Sequence, residues 1–390
     1  MLPPPLTRWS IGLLASLGPF VAGTTAAEPG AFATVEARQA AGVRTLAGRI
    51  VIEAVDGGML LELPDQRYEL LPPESIVSRT ALPDEPAREA PRDLGRRILA
   101  DLPAGFDVHL SRHYVICFNT SREYAKWVAA LFERLHEAFT TFWKNAGLDV
   151  AEPDQPLIVV IFSDRQQYET FATRDVGPAA DRVVGYYNLA SNRVTTFDLT
   201  GSDVLTRQAR RPPGRVGPEI LASPEAAGLV ATLVHEATHQ MAFNCGMHRR
   251  LAPIPLWLSE GIATYFETPD LSSPRGWKGI GIVNRPRLER FLKTAGPGWA
   301  RGLVIDDGAF RAADTAEDAY ARAWALTHFL AQTRKPKFTA YLRRLAATKP
   351  LADDSAEQRE RDFEAAFGDT PAAVEEAVHR SMARLQSRLP

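Results

Sequence analysis

The densest chemistry in the chain lies in five consecutive residues, His235-Glu236-Ala237-Thr238-His239. Two histidines four positions apart project from one face of a helix, so both imidazoles can reach a single metal ion. Glu236 lies one position round. It is close enough to touch a water that the ion activates, yet turned out of the ligand set, which is the placement a general base needs. That logic requires a helix, and the flanking residues supply one. Val230, Val234, Ala237 and Met241 form an apolar stripe that predicts a helix from about Ala226 to Ala242.

Two histidines do not complete a catalytic zinc site, which usually takes three protein ligands and leaves one position open. The metzincin continuation would need Gly at 242 and His at 245, where this chain has Ala242 and Cys245. Further on, the stretch from Pro255 to Glu267 predicts a second helix, opened by Pro255 and packing Leu258, Ile262 and Phe266. Its Glu260 stands 21 positions after His239, across a loop containing Gly246, Pro253 and Pro255. A helix–loop–helix hairpin can bring that carboxylate beside the imidazoles. Glu260 is therefore the expected third ligand, with His248 as its competitor. Glu267 falls on the same face as Glu260, either orienting an imidazole through its free nitrogen or standing as a structural or solvated carboxylate.

With these residues in view, His-Glu-x-x-His followed by Trp257-Leu258-Ser259-Glu260-Gly261-Ile262-Ala263 resembles the gluzincins, the thermolysin-like clan of zinc peptidases. It is most similar to the peptidase MA-like group of uncharacterised bacterial secreted proteins. The resemblance spans roughly residues 110–345, with its specific motifs inside 235–267. It implies a zincin-like α+β domain acting on peptide or protein substrates, Zn2+ bound by His235, His239 and Glu260, and Glu236 as base. Asp318-Ala319-Tyr320-Ala321-Arg322-Ala323-Trp324 is similar to the helix that carries an oxyanion-stabilising tyrosine in that group. Tyr320 is the implied donor, with His328 a weaker candidate. Tyr320, Trp324 and His328 share one helical face by their spacing, so a plain aromatic packing stripe is the competing reading. The resemblance also implies that Arg193–Phe197 is an edge strand that pairs with extended substrate; the pattern alone shows a hairpin of 183–187 with 193–197.

The elements that must position this machinery read as follows. Residues 45–78 hold short strands around an Asp56-Gly57-Gly58 turn, making a small β-rich module over 28–80 that has no counterpart in the resembled family. Residues 81–94, with Pro83, Pro86 and Pro91, read as a linker, and 95–390 as the zincin-like domain. Within it, Arg97–Leu102 predicts a short helix, His113–Phe118 and Leu157–Phe162 predict strands, and Glu123–Trp143 predicts a helix on the spacing of Trp127, Leu131, Leu135 and Phe139. Residues 319–388 have room for three or four helices, one beginning after Asp369-Thr370-Pro371. The fold class is α+β.

Composition narrows the setting. The chain has 390 residues, 45% hydrophobic and 24% charged, which is ordinary for a folded protein. Lys+Arg 45 against Asp+Glu 47 argues against bulk nucleic-acid binding and against a polybasic membrane patch. The first 27 residues carry one charge, Arg8, then an apolar run from Ile11 to Ala22 that is shorter than the roughly 20 residues needed to span a bilayer. Small residues Thr25 and Ala27 follow, so a secretory signal cleaved after Ala27 is expected, with a secreted or periplasmic mature protein. No later segment reads as membrane-spanning. In an oxidising compartment Cys117 and Cys245 could pair; the alternative is that Cys117 is simply a small buried hydrophobe. The functional expectation is an exported zinc metallopeptidase. Its alternatives are a zinc hydrolase of a non-peptide amide, or a cell-envelope binding protein on an inactive peptidase scaffold, with the β module as a possible adaptor for an envelope partner.

Overall fold

The computed structural model describes residues 24–25, 31–39, 42–201, 221, 226–268, 277 and 279–389. The expected leader falls outside them, apart from the backbone of Thr24 and Thr25. Among the described residues no helix is long and apolar enough to cross a membrane.

Alternation builds the N-terminal sheet. In Phe32–Gln39 (β2), Ala33, Val35 and Ala37 turn to one face and are buried, while their neighbours stay outside. Gly42–Ala54 (β3), Met59–Glu62 (β4), Tyr68–Leu71 (β5) and Ile76–Leu82 (β6) complete an antiparallel sheet in the order β5-β4-β3-β2-β6, with Thr24–Thr25 (β1) also pairing with β3. At the β3–β4 turn Gly57 sits at φ 92°, which only glycine adopts without strain, and Asp56 Oδ1 accepts the Gly58 amide at 2.9 Å. The expected linker is shorter than its composition suggests, because β6 runs to Leu82 and a helix, α1 (Pro91–Leu99), begins at Pro91. That helix replaces the one expected at 97–102. A proline fits the first helical turn, where an amide would lack a partner anyway.

The second sheet comprises Asp107–Leu110 (β7), Tyr114–Phe118 (β8), Leu157–Phe162 (β9), Gly185–Asn188 (β10) and Arg193–Phe197 (β11) in the order β10-β11-β9-β8-β7. β9 is parallel to β8 and β11 and every one of its residues is buried, as expected of an apolar run covered on both faces. The 183–187/193–197 hairpin forms as β10 and β11. One expectation is overturned here: Arg193–Phe197 is not an edge strand. It lies between β10 and β9, because the chain returns from β9 so that β11 takes the inner place and β10 the rim.

Helices cover this sheet and form the C-terminal half. Arg122–Asn145 (α2) is capped by Ser121, which accepts the Tyr124 amide at 3.1 Å, and Arg165–Val176 (α3) by Asp164. Then come Ala227–Asn244 (α4), Leu256–Phe266 (α5), Arg285–Thr294 (α6), Trp299–Ile305 (α7), Gly308–Arg311 (α8), Ala316–Thr333 (α9), Lys335–Ala346 (α10), Ala356–Phe367 (α11) and Pro371–Arg388 (α12). The last begins where Thr370-Pro371 predicts, with Thr370 as its cap. The molecule is α+β, a β module followed by a domain whose C-terminal part is helical. Cys117 on β8 and Cys245 after α4 are separate buried thiols, and burial pushes both up to about 12.

The β module rests on the β10–β11 turn. The Tyr68 amide donates to Ala190 O at 2.7 Å, Asn192 Nδ2 donates to Gln66 Oε1 at 2.7 Å, and the Arg193 guanidinium meets Asp65 at 2.9 Å, both buried. Arg250 reaches in from beyond α4, bonding Glu62 and Gln66 O and lying over the Tyr68 ring at 4.0 Å.

Candidate metal centre

α4 is buried on all sides from Leu229 to Ala242, packed by β10, β11, α2 and α5. A helix so enclosed has a fixed rotation, and Gln240 fixes it further. Its Nε2 donates to Ile158 O on β9 and to Asn192 O at the hairpin tip, each at 2.9 Å. His235 and His239 are thereby aimed at one point.

α5 supplies the third member. Its first turn has no cap of its own, and the Leu256 amide donates instead to Asp307 Oδ1 at 3.0 Å. Asp307 is in turn gripped by Arg359 of α11 at 2.8 and 2.9 Å, so the C-terminal helices hold the start of the helix that carries Glu260. Gly261 lets α5 lie directly on α9: a Cβ there would fall 2.1 Å from Thr327 Oγ1 and 2.8 Å from Ala323 O.

The result is a triangle of donor atoms. His235 Nε2 lies 3.1 Å from His239 Nε2 and 3.0 Å from Glu260 Oε2, and His239 Nε2 lies 3.4 Å from Glu260 Oε2. Ligands about 2.1 Å from a tetrahedral zinc are about 3.4 Å from one another, so a single ion fits all three. All three residues are buried, and Glu260 Oε1 is buried without a hydrogen-bond partner. Two ring nitrogens converging on a carboxylate, with an orphaned oxygen beside them, are a donor set that asks for a cation. This buried His235/His239/Glu260 group could hold a metal ion. Burial alone would lower the His235 imidazole, but the Glu260 and Glu267 carboxylates outweigh it and raise its pKa. Burial would raise the Glu260 carboxyl, yet the charge of His239 and the contacts of both imidazoles bring it below its ordinary value. The pocket is built to favour positive charge against Glu260.

The far nitrogens of both rings are held. His235 Nδ1 lies 3.2 Å from Glu267 Oε2, and the other Glu267 oxygen accepts from Asn284 at 2.9 Å and from Arg287 at 3.5 Å, so this carboxylate is buried beside the group rather than solvated. His239 Nδ1 lies 3.3 Å from Ser259 Oγ. Glu236 stands outside the triangle, fully buried, and its Oε2 accepts the Tyr187 amide of β10 at 2.8 Å. The Tyr320 ring centroid is 6.2 Å from that of His235, with Phe310 edge-on at 5.5 Å and the Arg287 guanidinium over its face at 5.3 Å.

His248 and His328 stay apart from the group. His248 meets Phe243 edge-on with Nδ1 3.1 Å from Met247 O, and His328 packs against Trp324 and Tyr265. The sequence pattern assigned no role to Ser259, Gln240, Arg287 or the Tyr187 amide. Ser259 could have been found from its place one residue before Glu260; the others are brought in by tertiary packing alone.

A family model described as a protein of unknown function (DUF1570) matches residues 229–352. That span is roughly a third of the chain and takes in His235, Glu236, His239, Glu260 and Tyr320. No curated protein matches the sequence.

Proposed function

We propose that this protein is an exported zinc-dependent peptidase. The observation that carries the reading is the three-donor triangle with a fourth acidic residue, Glu236, held beside it but outside it. A purely structural ion has no use for that carboxylate. A zinc ion held by His235, His239 and Glu260 would supply Lewis acidity, activating a water and polarising the scissile carbonyl.

The remaining work falls to this chain's own groups. Glu236, steadied by the Tyr187 amide, takes a proton from the attacking water and passes it to the leaving nitrogen. Glu267 and Ser259 accept from the Nδ1 protons of His235 and His239, which leaves both Nε2 lone pairs directed into the triangle. Tyr320, beside His235, donates its hydroxyl to the oxygen on which charge develops.

The rim strand β10 is buried along its length and is tied to the site through Glu236. Tyr187 turns its amide away from β11 toward α4, and in antiparallel pairing Gly185, two residues earlier, shares that outward orientation. The test is cleavage of a diverse peptide library by zinc-loaded wild type and Glu236→Gln. The variant should keep its zinc and lose cleavage by at least about 100-fold; cleavage at the wild-type rate would overturn the assignment.

A further inference from the structure

We infer that His113, His136 and Glu152 form a second divalent-cation site, one that ties the strand sheet to α2 and to the segment leading into β9. The three residues come from separate parts of the chain. His113 precedes β8, His136 lies in the middle of α2, and Glu152 lies between α2 and β9. Here the two imidazoles stack with centroids 3.9 Å apart and planes inclined by 19°, so one ring must turn out of the stack for both in-plane lone pairs to meet a single ion. Their Nε2 atoms converge on one oxygen, lying 3.4 Å and 3.5 Å from Glu152 Oε2. Those two separations are close to the roughly 3.4 Å edge of a tetrahedron around zinc, and all three donor atoms lie within 4.8 Å of one another.

The surroundings are those of a built site. His113 Nδ1 lies 2.6 Å from Glu133 Oε2, and Glu133 Oε1 accepts both the His113 amide at 2.8 Å and the Ser111 hydroxyl at 2.6 Å. Glu133 is thus placed to accept from Nδ1 of His113, the arrangement in which a ligating imidazole turns its Nε2 to the ion. His136 is 3% exposed and its Nε2 is buried with no hydrogen-bond partner, aimed at Glu152. The Glu152 side chain is 57% exposed, which leaves the fourth position open to water and gives the ion a way in. Two nitrogens and one oxygen select a borderline ion of the zinc class over calcium or magnesium, which take oxygen ligands.

The site is separate from the triangle on α4, and its role is structural. The Ala151 amide, one residue before Glu152, donates to Cys245 O at the end of α4 at 2.9 Å, and the Leu157 amide donates to His113 O at 2.8 Å. An ion binding Glu152 therefore fastens the segment that closes the C-terminal end of the His235/His239 helix.

The experiment is titration of the chelator-stripped full chain with Zn2+ alone, read by stoichiometry and by thermal midpoint. Wild type should take up two equivalents. Glu152→Gln, an exposed change that leaves the fold intact, should bind the second at least tenfold more weakly while keeping the first. Glu260→Ala, which removes the α4 site, should still bind one equivalent and gain thermal stability from it, and the Glu152→Gln/Glu260→Ala pair should lose that gain. A single equivalent in wild type, or unchanged uptake in both Glu152→Gln and His113→Ala, would overturn the second site. None of these readouts depends on peptide cleavage, so failure here is distinguishable from failure of the peptidase reading.

Discussion

The backbone amide of Tyr187 donates to Glu236 Oε2 at 2.8 Å, tying the rim strand of the sheet to the proposed base. The position of the β10–β11 hairpin therefore sets the position of that carboxylate. The hairpin is in turn held at its turn by the N-terminal β module, through Asp65–Arg193, Gln66–Asn192 and Tyr68–Ala190. The module that has no counterpart in the resembled family is thus mechanically continuous with the site.

Asp65→Ala tests that continuity. It leaves the buried Arg193 guanidinium without its carboxylate, and removing one partner of a buried pair costs about 3–5 kcal/mol. Chemical denaturation should show a loss of that order. Zinc content should stay at the wild-type level, because His235, His239 and Glu260 do not touch the module, while turnover falls as Glu236 loses its fixed support. Unchanged turnover in a folded variant would mean that the module only caps the sheet.

Glu267→Ala removes the carboxylate behind His235. With its Nδ1 side unheld, the imidazole gains freedom about its own axis, and loss of such a partner typically weakens metal affinity by about 10–100-fold. Competition with a chelator of known affinity measures this directly. Arg287 keeps Glu317 at 3.1 Å, so the change does not strand a buried cation.

Much of this arrangement was legible in the primary structure because it depends on local rules. Four-residue spacing puts His235 and His239 on one helical face, and Pro255 marks the start of the helix carrying Glu260. The strands missed are instructive. β2 alternates through Ala33, Val35 and Ala37, whose small side chains give a weak apolar signal, and β7 is a four-residue piece recognisable only by its pairing with β8. The rim place of β10 over β11 depends on which side of β9 the chain returns to, and no local pattern encodes that choice. The network of Gln240, Asn192 and Arg193 joins residues far apart in sequence and becomes visible only once the sheet is assembled.

Gly261→Ala probes the contact that brings α5 against α9. The added methyl meets Thr327 Oγ1 and the Ala323 carbonyl oxygen at once. Thr327 can rotate, but the backbone carbonyl cannot move without shifting the helix. The variant should lose about 1–3 kcal/mol in denaturation of the metal-free protein, and pairing it with Thr327→Ala should recover only part of that loss. Because Glu260 is the adjacent residue, zinc affinity should fall as well. Full recovery of stability in the double variant would place the whole clash on the threonine.

The acid response of the metal-free protein should depend on His248. Burial, reinforced by His239, pushes its imidazole down to about 3 from the ordinary 6.5, and its Nε2 is buried without a partner. A histidine with a lowered native pKa binds its proton in the unfolded chain first. Native stability is therefore fully retained above about 6.5, falls as pH drops below that value, and stops falling on this account below about 3. At pH 4 the accumulated loss from this one group is about 3 kcal/mol. Replacing it by phenylalanine keeps an aromatic ring edge-on to Phe243 and removes the titrating group. Denaturation curves of chelator-stripped wild type and His248→Phe between pH 8 and pH 4 should diverge as the medium is acidified, the variant losing less. Parallel curves would show that His248 already carries its proton in the native state, contrary to its enclosed position.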